Sequence, residues 1–403
     1  MNDSSDLPLS GITVIDCGQV IAGPSIGMLL GDFGAEVIKV ENPKGGDQIR
    51  NFGYQKNGVS LHSKLFSRNK KSITLNLHDG EGQGLFCRLM QATRPDILIE
   101  SFRPGTMERW NLGFDRLREI CPGLVMIRVS GFGQFGPYRE RPGFGTLAEA
   151  MSGFAHVTGE EDGPPTLPPF ALADGIAALY ATVGAMICLY QRDAKGRGRG
   201  QYLDVSLLEP IFNLLGPYLV EYDQLGMVPK RQGNRTSSAP RNTYRTRDGR
   251  WIALAGSTQS VAIRVFEAIG RPDLILDPRF HDNRSRVANV EALDAIVGAW
   301  VAERTQEEAI RVLVAAEVAV APIWDIRDLA SDPHLAARES IVAVEDAELG
   351  QIRMPGVLPR LSETPGRVRH AGPRLGEHNQ AIYRDRMGLS DEEISSLLSQ
   401  GVI

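Results

Sequence analysis

The chain predicts an α/β fold with a Rossmann-like parallel sheet, followed in its middle by a smaller α+β domain. Two features carry this reading. Near the start, two short apolar, β-branched runs, Ile12 to Asp16 and Ala35 to Val40, flank a stretch with helical spacing and small residues, QVIAGPSIGMLLGDFG. Strand, helix, strand is how a parallel sheet begins. Near Tyr222 the character changes: GNRTSSAPRNTYRTRDGRWIALAGS reads as a β-hairpin turning at Asp248-Gly249, and Ser260 to Ala316 is helical with breaks around Pro272 and Pro278.

Composition sets the bounds. With 403 residues, 42% of them hydrophobic and 23% charged, the chain has the size for two domains. A net charge of -5 argues against a nucleic-acid partner. The four cysteines, Cys17, Cys87, Cys121 and Cys188, form no CxxC pair, so neither a zinc site nor a disulfide framework is expected. No basic region precedes an apolar one at the N-terminus. The longest apolar run, after Asp174, is broken by small residues and is expected to fall short of the ~20 a membrane span needs. The expectation is a soluble, cytoplasmic protein with no metal.

Between the first two strands the glycines do not fit G-x-G-x-x-G, so no dinucleotide is expected. Glu41 to Arg50 (ENPKGGDQIR) follows the second strand directly, where open α/β sheets place their ligand loops; it suits a nucleotide-like group or a solvated turn. Ser67 to Ser72 (SRNKKS) places three cations before the strand-like run ITLNL, as a solvated face or as phosphate ligands. Gly80 to Ala92 is an amphipathic helix, DILIESF a strand, and Arg103-Pro104-Gly105 a tight turn before short helices. Leu124 to Val129 is the next strand, and SGFGQFGPYRERPGFG a long glycine-rich loop of the kind that carries function. A second such loop, Gly153 to Pro169, leads into a helix beginning near Ala171. After that helix come a basic turn, AKGRGRG, and QYLDVSLLEP, a strand running into a helix. From Val320 to Pro359 short strands and turns are expected, with a turn at Leu349-Gly350. Ser390, followed by Glu392 and Glu393, caps a final helix.

The helix after Ala171 is the informative one. Leu172, Ile176, Leu179, Val183, Ile187 and Tyr190 recur at helical spacing, and the apolar body carries one charge, Asp174. One turn on stand Ala177 and Ala178, so no basic partner within the helix neutralises it. Two readings stay open: a first-turn acid satisfied by free N–H groups, or a carboxylate kept ionised by the helix N-terminus and left free as a nucleophile.

The ordered motifs LSGITVIDCGQVIAGP, LGDFGAEVIKVENPKGGD, RNKKSITLNL, ESFRPGTMERWNLG, SGFGQFGP, RPGFGTLAEAMSGFA, ALADGIAALYA and GRGRGQYLDVSLLE resemble those of the family III CoA-transferases over nearly the whole chain. The resemblance implies a large Rossmann-like domain made from both ends of the chain, here 1–222 and 326–403, with a small α+β domain at 223–325. It also implies two such chains interlocked as a homodimer. CoA and acyl-CoA would then be substrates and no cofactor would be permanently bound. Asp174 matches the family's catalytic aspartate, which passes through an acyl-aspartyl anhydride and an aspartyl-CoA thioester.

Carried over by position, Val20 and Ile21 lie beside the reacting thioester. Asn42 falls where a family arginine contacts the nucleotide, with Arg50 or Lys44 as substitutes. The resemblance further places Leu75, Asn76, Leu77 and His78 along the adenine, and Ser101, Phe102 and Arg103 around the pantetheine and diphosphate. Arg109 matches a phosphate-binding arginine, and Arg141 aligns with a lysine that contacts CoA. Two departures matter: oxalate-type relatives have glutamine at Ile21 and an acid at Gly145. The α-methylacyl-CoA racemases share the fold but need Gly-His-Asp where this chain has Gly143, Phe144 and Gly145, so one base for two-sided proton transfer is missing. Racemisation and a non-catalytic CoA-binding protein are the alternatives to CoA transfer. The donor suggested is succinyl-CoA and the acceptor a small dicarboxylic or hydroxy acid. Arg235 or Arg241 would pair its distal carboxylate or else be solvated hairpin charges.

Overall fold

The computed structural model of the chain describes residues 7–403. Six strands form one sheet: β1 (Thr13–Cys17), β2 (Glu36–Glu41), β3 (Lys70–Thr74), β4 (Ile97–Glu100), β5 (Val125–Ser130) and β6 (Tyr202–Ser206). Their spatial order is β3-β2-β1-β4-β5-β6 and every pair is parallel. This is the Rossmann order, with its switch point between β1 and β4. The runs are apolar on both faces because both are covered. Ile15, Ile38, Leu98 and Met126 pack on Phe86 and Leu89 of α2 (Gly80–Thr93) and on Tyr383 and Ile394. Val14, Val37, Ile99 and Ile127 pack on Ile26 and Leu30 of α1 (Ala22–Asp32) and on the alanines of a later helix.

Between β5 and β6 lie the glycine-rich loop, α3 (Gly145–Met151) and α4 (Leu172–Asp193). Ala173, Ala177, Ala181 and Ala185 turn to the sheet, while Leu179, Val183, Ile187 and Tyr190 stay exposed. Small residues on the inner face let α4 lie close over β5. The expectation that this run is too short to span a membrane is corrected: α4 has 22 residues and is apolar enough by length and composition. Its inner face is packed in the core. After β6 come α5 (Leu208–Leu214) and α6 (Gly216–Leu225), the latter with no buried residue.

Two of the three cations of SRNKKS are buried in ion pairs rather than forming a solvated face or facing a phosphate, and the third is half-exposed. Arg68 is buried against Asp32, with Nε 3.0 Å from Oδ1; Lys70 is buried 2.7 Å from Asp16; Lys71, more exposed, pairs with Glu36 at 2.7 Å. All three bind acids at the strands and the helix beside them. The C-terminal segment then closes the β3 edge. Asn69 N–H donates to His370 O (3.2 Å), Ser72 N–H to His378 Nδ1 (3.2 Å) and Thr74 N–H to Asn379 Oδ1 (2.9 Å), so the edge is paired rather than left open.

Residues divide into two compact units. One gathers the described residues through Phe154 with Leu167–Met227 and Ala336–Ile403; the other is Ala155–Thr166 with Val228–Leu335. The second unit has an antiparallel sheet of Arg241–Arg245, Trp251–Ala255 and Val320–Pro322. Helices Gln259–Ala268, Val290–Ala302 and Gln306–Ala315 share a core with it through Tyr244, Ile252, Phe266, Val297 and Leu313. Neither hairpin arginine is a loose surface charge: Arg235 pairs with Asp294 at 2.9 Å, and Arg241 donates to Asn234 O at 2.6 Å. Where short strands and turns were expected after Val320, helices Ile326–Ser331 and Pro333–Ala337 intervene. A capping box between Asp325 and Asp328 starts the first of them. The hairpin at Leu349-Gly350 and the Ser390 cap, which pairs with Glu393, follow as expected.

Candidate active site

The switch point places two loops side by side. After β1 the chain runs through Gly18 to Ile21, and after β4 through Ser101 to Arg103. Gln19 N–H donates to Ser101 Oγ at 2.7 Å and ties them together. Glu100, at the end of β4, fixes the second loop: it accepts from Phe102 N–H at 2.7 Å and from Arg128 Nε at 2.8 Å. Burial pushes its carboxyl up to about 7 against the pull of Arg128.

The first loop holds Val20 at φ 62, a left-handed conformation that a β-branched side chain resists. Its N–H is held by Asp47 Oδ1 at 2.9 Å. Asp47 is in turn 2.9 Å from Lys39 Nζ, which also donates to Gly18 O. Lys39 is buried, and burial alone would pull it down; Asp16, Asp47 and Glu41 together raise it well above the ordinary lysine range. A buried ionic network beneath the strand ends thus supports the strained turn.

Asp174 stands in the first turn of α4, with Ala22 N–H and its own N–H beside the carboxylate. These donors do not hold it low, as the free-nucleophile reading expected. Burial, and then the charge of Glu149, push it up to about 6. It is therefore mostly ionised at neutral pH, yet more basic than an ordinary aspartate. Opposite it, a Cβ built on Gly145 would lie 2.3 Å from Asp174 Oδ2. Any larger residue there must push the Asp174 carboxylate tip from this position, so the acid found here in oxalate-type relatives does not fit without moving it.

A cavity of about 1150 Å³ opens on Asp174. Val20, Ile21, His78, Ser101, Phe102, Arg103 and Arg141 line it, and Arg141 lies over the Tyr138 ring at 3.7 Å. An adjoining cleft brings together Asn42, Leu75, Leu77, His78 and Phe102. Asn76 is turned to the chain, donating its N–H to Val402 O at 2.7 Å. Arg109 is not on either wall; its Nη2 donates to Thr106 Oγ1 at 2.8 Å. Asn42 accepts from Lys44 N–H at 2.8 Å. Arg50, one candidate to replace the missing cation, is taken up by Glu41 through Nε and Nη2, both at 2.6 Å. Among the described residues Lys44 is the substitute that forms no ion pair.

Motif reading passed over two cavity residues. Trp110 lies edge-on to Phe102 and His78, with ring centroids 5.0 and 4.9 Å away, and belonged to a quoted motif without being singled out. Glu149, 3% exposed, accepts from Ala173 N–H at 3.1 Å. It too lies in a family-like motif, RPGFGTLAEAMSGFA, but only the fold shows that it meets the turn carrying Asp174.

A basic, ionised carboxylate at a Rossmann switch point is suited to attack an activated acyl group. The chain matches CoA-transferase family III over residues 9–379 and belongs to that family. It is a CoA-transferase. It is 41% identical over 398 residues to the succinyl-CoA–D-citramalate CoA-transferase of Chloroflexus aurantiacus, covering 98% of each chain. It is 40% identical to the β subunit of the succinyl-CoA–L-malate CoA-transferase of the same organism, covering 99% of each. A CAIB/BAIF family protein from Brucella suis superposes with a TM-score of 0.83 at 30% identity, over 94% of this chain and 99% of that one.

Proposed function

We propose that this enzyme moves CoA from succinyl-CoA to a small dicarboxylic or hydroxy-dicarboxylic acid, with Asp174 as nucleophile. An Asp174 oxygen attacks the donor thioester carbonyl; the C–S bond breaks, giving a succinyl-aspartyl anhydride and CoA thiolate. The thiolate attacks the aspartyl carbonyl, the anhydride C–O bond breaks, and succinate leaves from an aspartyl-CoA thioester. The acceptor carboxylate attacks that thioester, and the same two steps in reverse deliver acceptor-CoA and free Asp174. No net proton is taken up or released.

The observation that carries this reading is Asp174 itself: ionised at neutral pH, more basic than usual and open to the 1150 Å³ cavity. Relatives named for succinyl-CoA and for hydroxy-dicarboxylates support the substrate class. Phe144, an apolar residue where the racemases place a base, disfavours racemisation. In this reading the first unit is the CoA-binding domain. Val20 and Ile21 flank the thioester, Ser101, Phe102 and Arg103 surround the pantetheine and diphosphate, Arg141 contacts CoA from the same cavity, and Asn42, Leu75, Leu77 and His78 line the nucleotide cleft; Arg109 reaches a phosphate only by leaving Thr106. The exposed apolar faces of α4 and α6 support an interlocked homodimer, and four free cysteines suit a cytoplasmic setting.

Mixing the enzyme with succinyl-CoA and quenching should trap one CoA-sized adduct on Asp174, removable by hydroxylamine and absent in Asp174→Asn. Turnover without that adduct sinks the mechanism. A screen of carboxylic acids by mass spectrometry then identifies the acceptor, and turnover confined to monocarboxylates sinks the substrate class.

A further inference from the structure

The first turn of α4 lacks its own cap. Ala171 occupies the capping position and has no side-chain acceptor, although the leading N–H groups of a helix need partners from outside it. Glu149 supplies one from α3: its Oε1 takes the N–H of Ala173, the residue immediately before the nucleophile. This carboxylate is buried, lines the same cavity and forms no ion pair among the described residues. The other titratable groups of the cavity are His62, His78, Arg103, Arg139 and Arg141. Arg139 is engaged by Glu140 and Arg141 by Tyr138. Among the described residues Glu149 is the other carboxylate lining this cavity, and after burial its charge also raises Asp174.

Resting on the reading of Asp174 as nucleophile, we propose that Glu149 is its positioning residue, acting in two separable ways. Its oxygen fixes the backbone of the turn that presents Asp174. Its negative charge disfavours the free Asp174 carboxylate and ceases to oppose it once Asp174 is acylated. An ionised pair of carboxylates repels; an anionic Glu149 beside a neutral aspartyl thioester does not. The repulsion therefore makes Asp174 a better nucleophile and favours the covalent enzyme over the free one. The two partners do not have the symmetry of a carboxyl dyad sharing a proton, because Glu149 is already committed to a backbone donor.

Two variants divide these roles. Glu149→Gln keeps an oxygen for Ala173 N–H and removes the charge. Its acid limb of kcat/KM should move to lower pH, and its ratio of aspartyl-CoA to free enzyme, at a set succinyl-CoA to succinate ratio, should fall roughly three- to tenfold. Glu149→Asp keeps the charge but is one methylene short of the N–H. Its acid limb should stay in place while kcat drops roughly tenfold through misplacement of the turn. An unchanged limb and unchanged covalent fraction in Glu149→Gln overturn the inference, as does a displaced limb in Glu149→Asp; if the Gln variant does not fold, the Asp variant decides. A wild-type enzyme that forms no Asp174 adduct refutes the nucleophile itself, an outcome read separately from either variant.

Discussion

Replacing Gly145 by alanine tests how closely the resting structure places Asp174. The new Cβ would stand 2.3 Å from Asp174 Oδ2, whereas real Cβ atoms essentially never come under 3.0 Å. The oxygen must therefore withdraw by at least ~0.7 Å, the difference between those two distances. Asp174 Cγ at 3.4 Å and Ala173 Cβ at 3.6 Å are at ordinary contact, so only the tip of the carboxylate has to move. Turning it off its rotamer costs about 0.5–1.5 kcal/mol, which in a chain this long shifts Tm by no more than about 1–5 °C. Chemistry is less forgiving: a misplacement approaching 1 Å costs on the order of 10²-fold. Gly145→Ala should then lose roughly 30- to 100-fold in kcat, while CoA affinity by calorimetry and the melting curve stay close to wild type. A variant within about threefold of wild-type kcat, with a normal melt, would refute the claim that this carboxylate position is the productive one.

Asp174 works ionised, so kcat/KM should rise with pH through about 6 and level off above it. The same shift sets a stability effect. Because the folded carboxyl is raised from 3.8 to about 6, the fold bears a cost that is full above pH 6 and fades as pH falls toward 3.8. Asp174→Asn should therefore stabilise the protein at pH 8 by about 1–3 kcal/mol and by progressively less at acid pH, as read by denaturant unfolding. Asp47→Ala leaves buried Lys39 without its 2.9 Å partner and Val20 N–H without an acceptor; a loss of about 3 kcal/mol is expected in urea melts, with kcat falling as the turn at Val20 relaxes. In the proposed homodimer the exposed face of α4 is covered, so Ile187→Glu should lower the sedimentation coefficient or the yield of folded protein; an unchanged coefficient and yield remove that face from the interface.

Much of the fold could be read because its signals are local. The strands of the parallel sheet are continuous apolar runs, α4 declares itself through Leu172, Ile176 and Leu179, and Ser390 caps its helix three residues before Glu393. The fate of the cations could not be read, since the acids that bind Arg68 and Lys70 lie 36 and 54 residues away in sequence. Arg50 posed the same difficulty: as a guanidinium in a ligand loop it fits a phosphate, and Glu41 claims it only when β2 and the turn after it are folded. Asp174 was legible as an unpartnered acid, but its basicity was not. The helix N-terminus, visible from spacing, argues for a low pKa; burial and, after it, the charge of Glu149, visible only in three dimensions, outweigh it. The helix capped by Asp325 was missed for a simpler reason: six residues give periodicity too little length to show.

The closure of the β3 edge by the C-terminal segment has a consequence for biosynthesis. Ser72 and His378, which meet there, are separated by 306 positions. At ordinary translation rates of about 5–20 residues per second, β3 waits roughly 15–60 s between its own emergence and that of its covering segment. Through that interval a parallel sheet stands at the ribosome with one flank of N–H groups unpaired. Asn69, Ser72 and Thr74 are thus the places where a nascent chain of this enzyme most needs shielding from its neighbours on the same polysome.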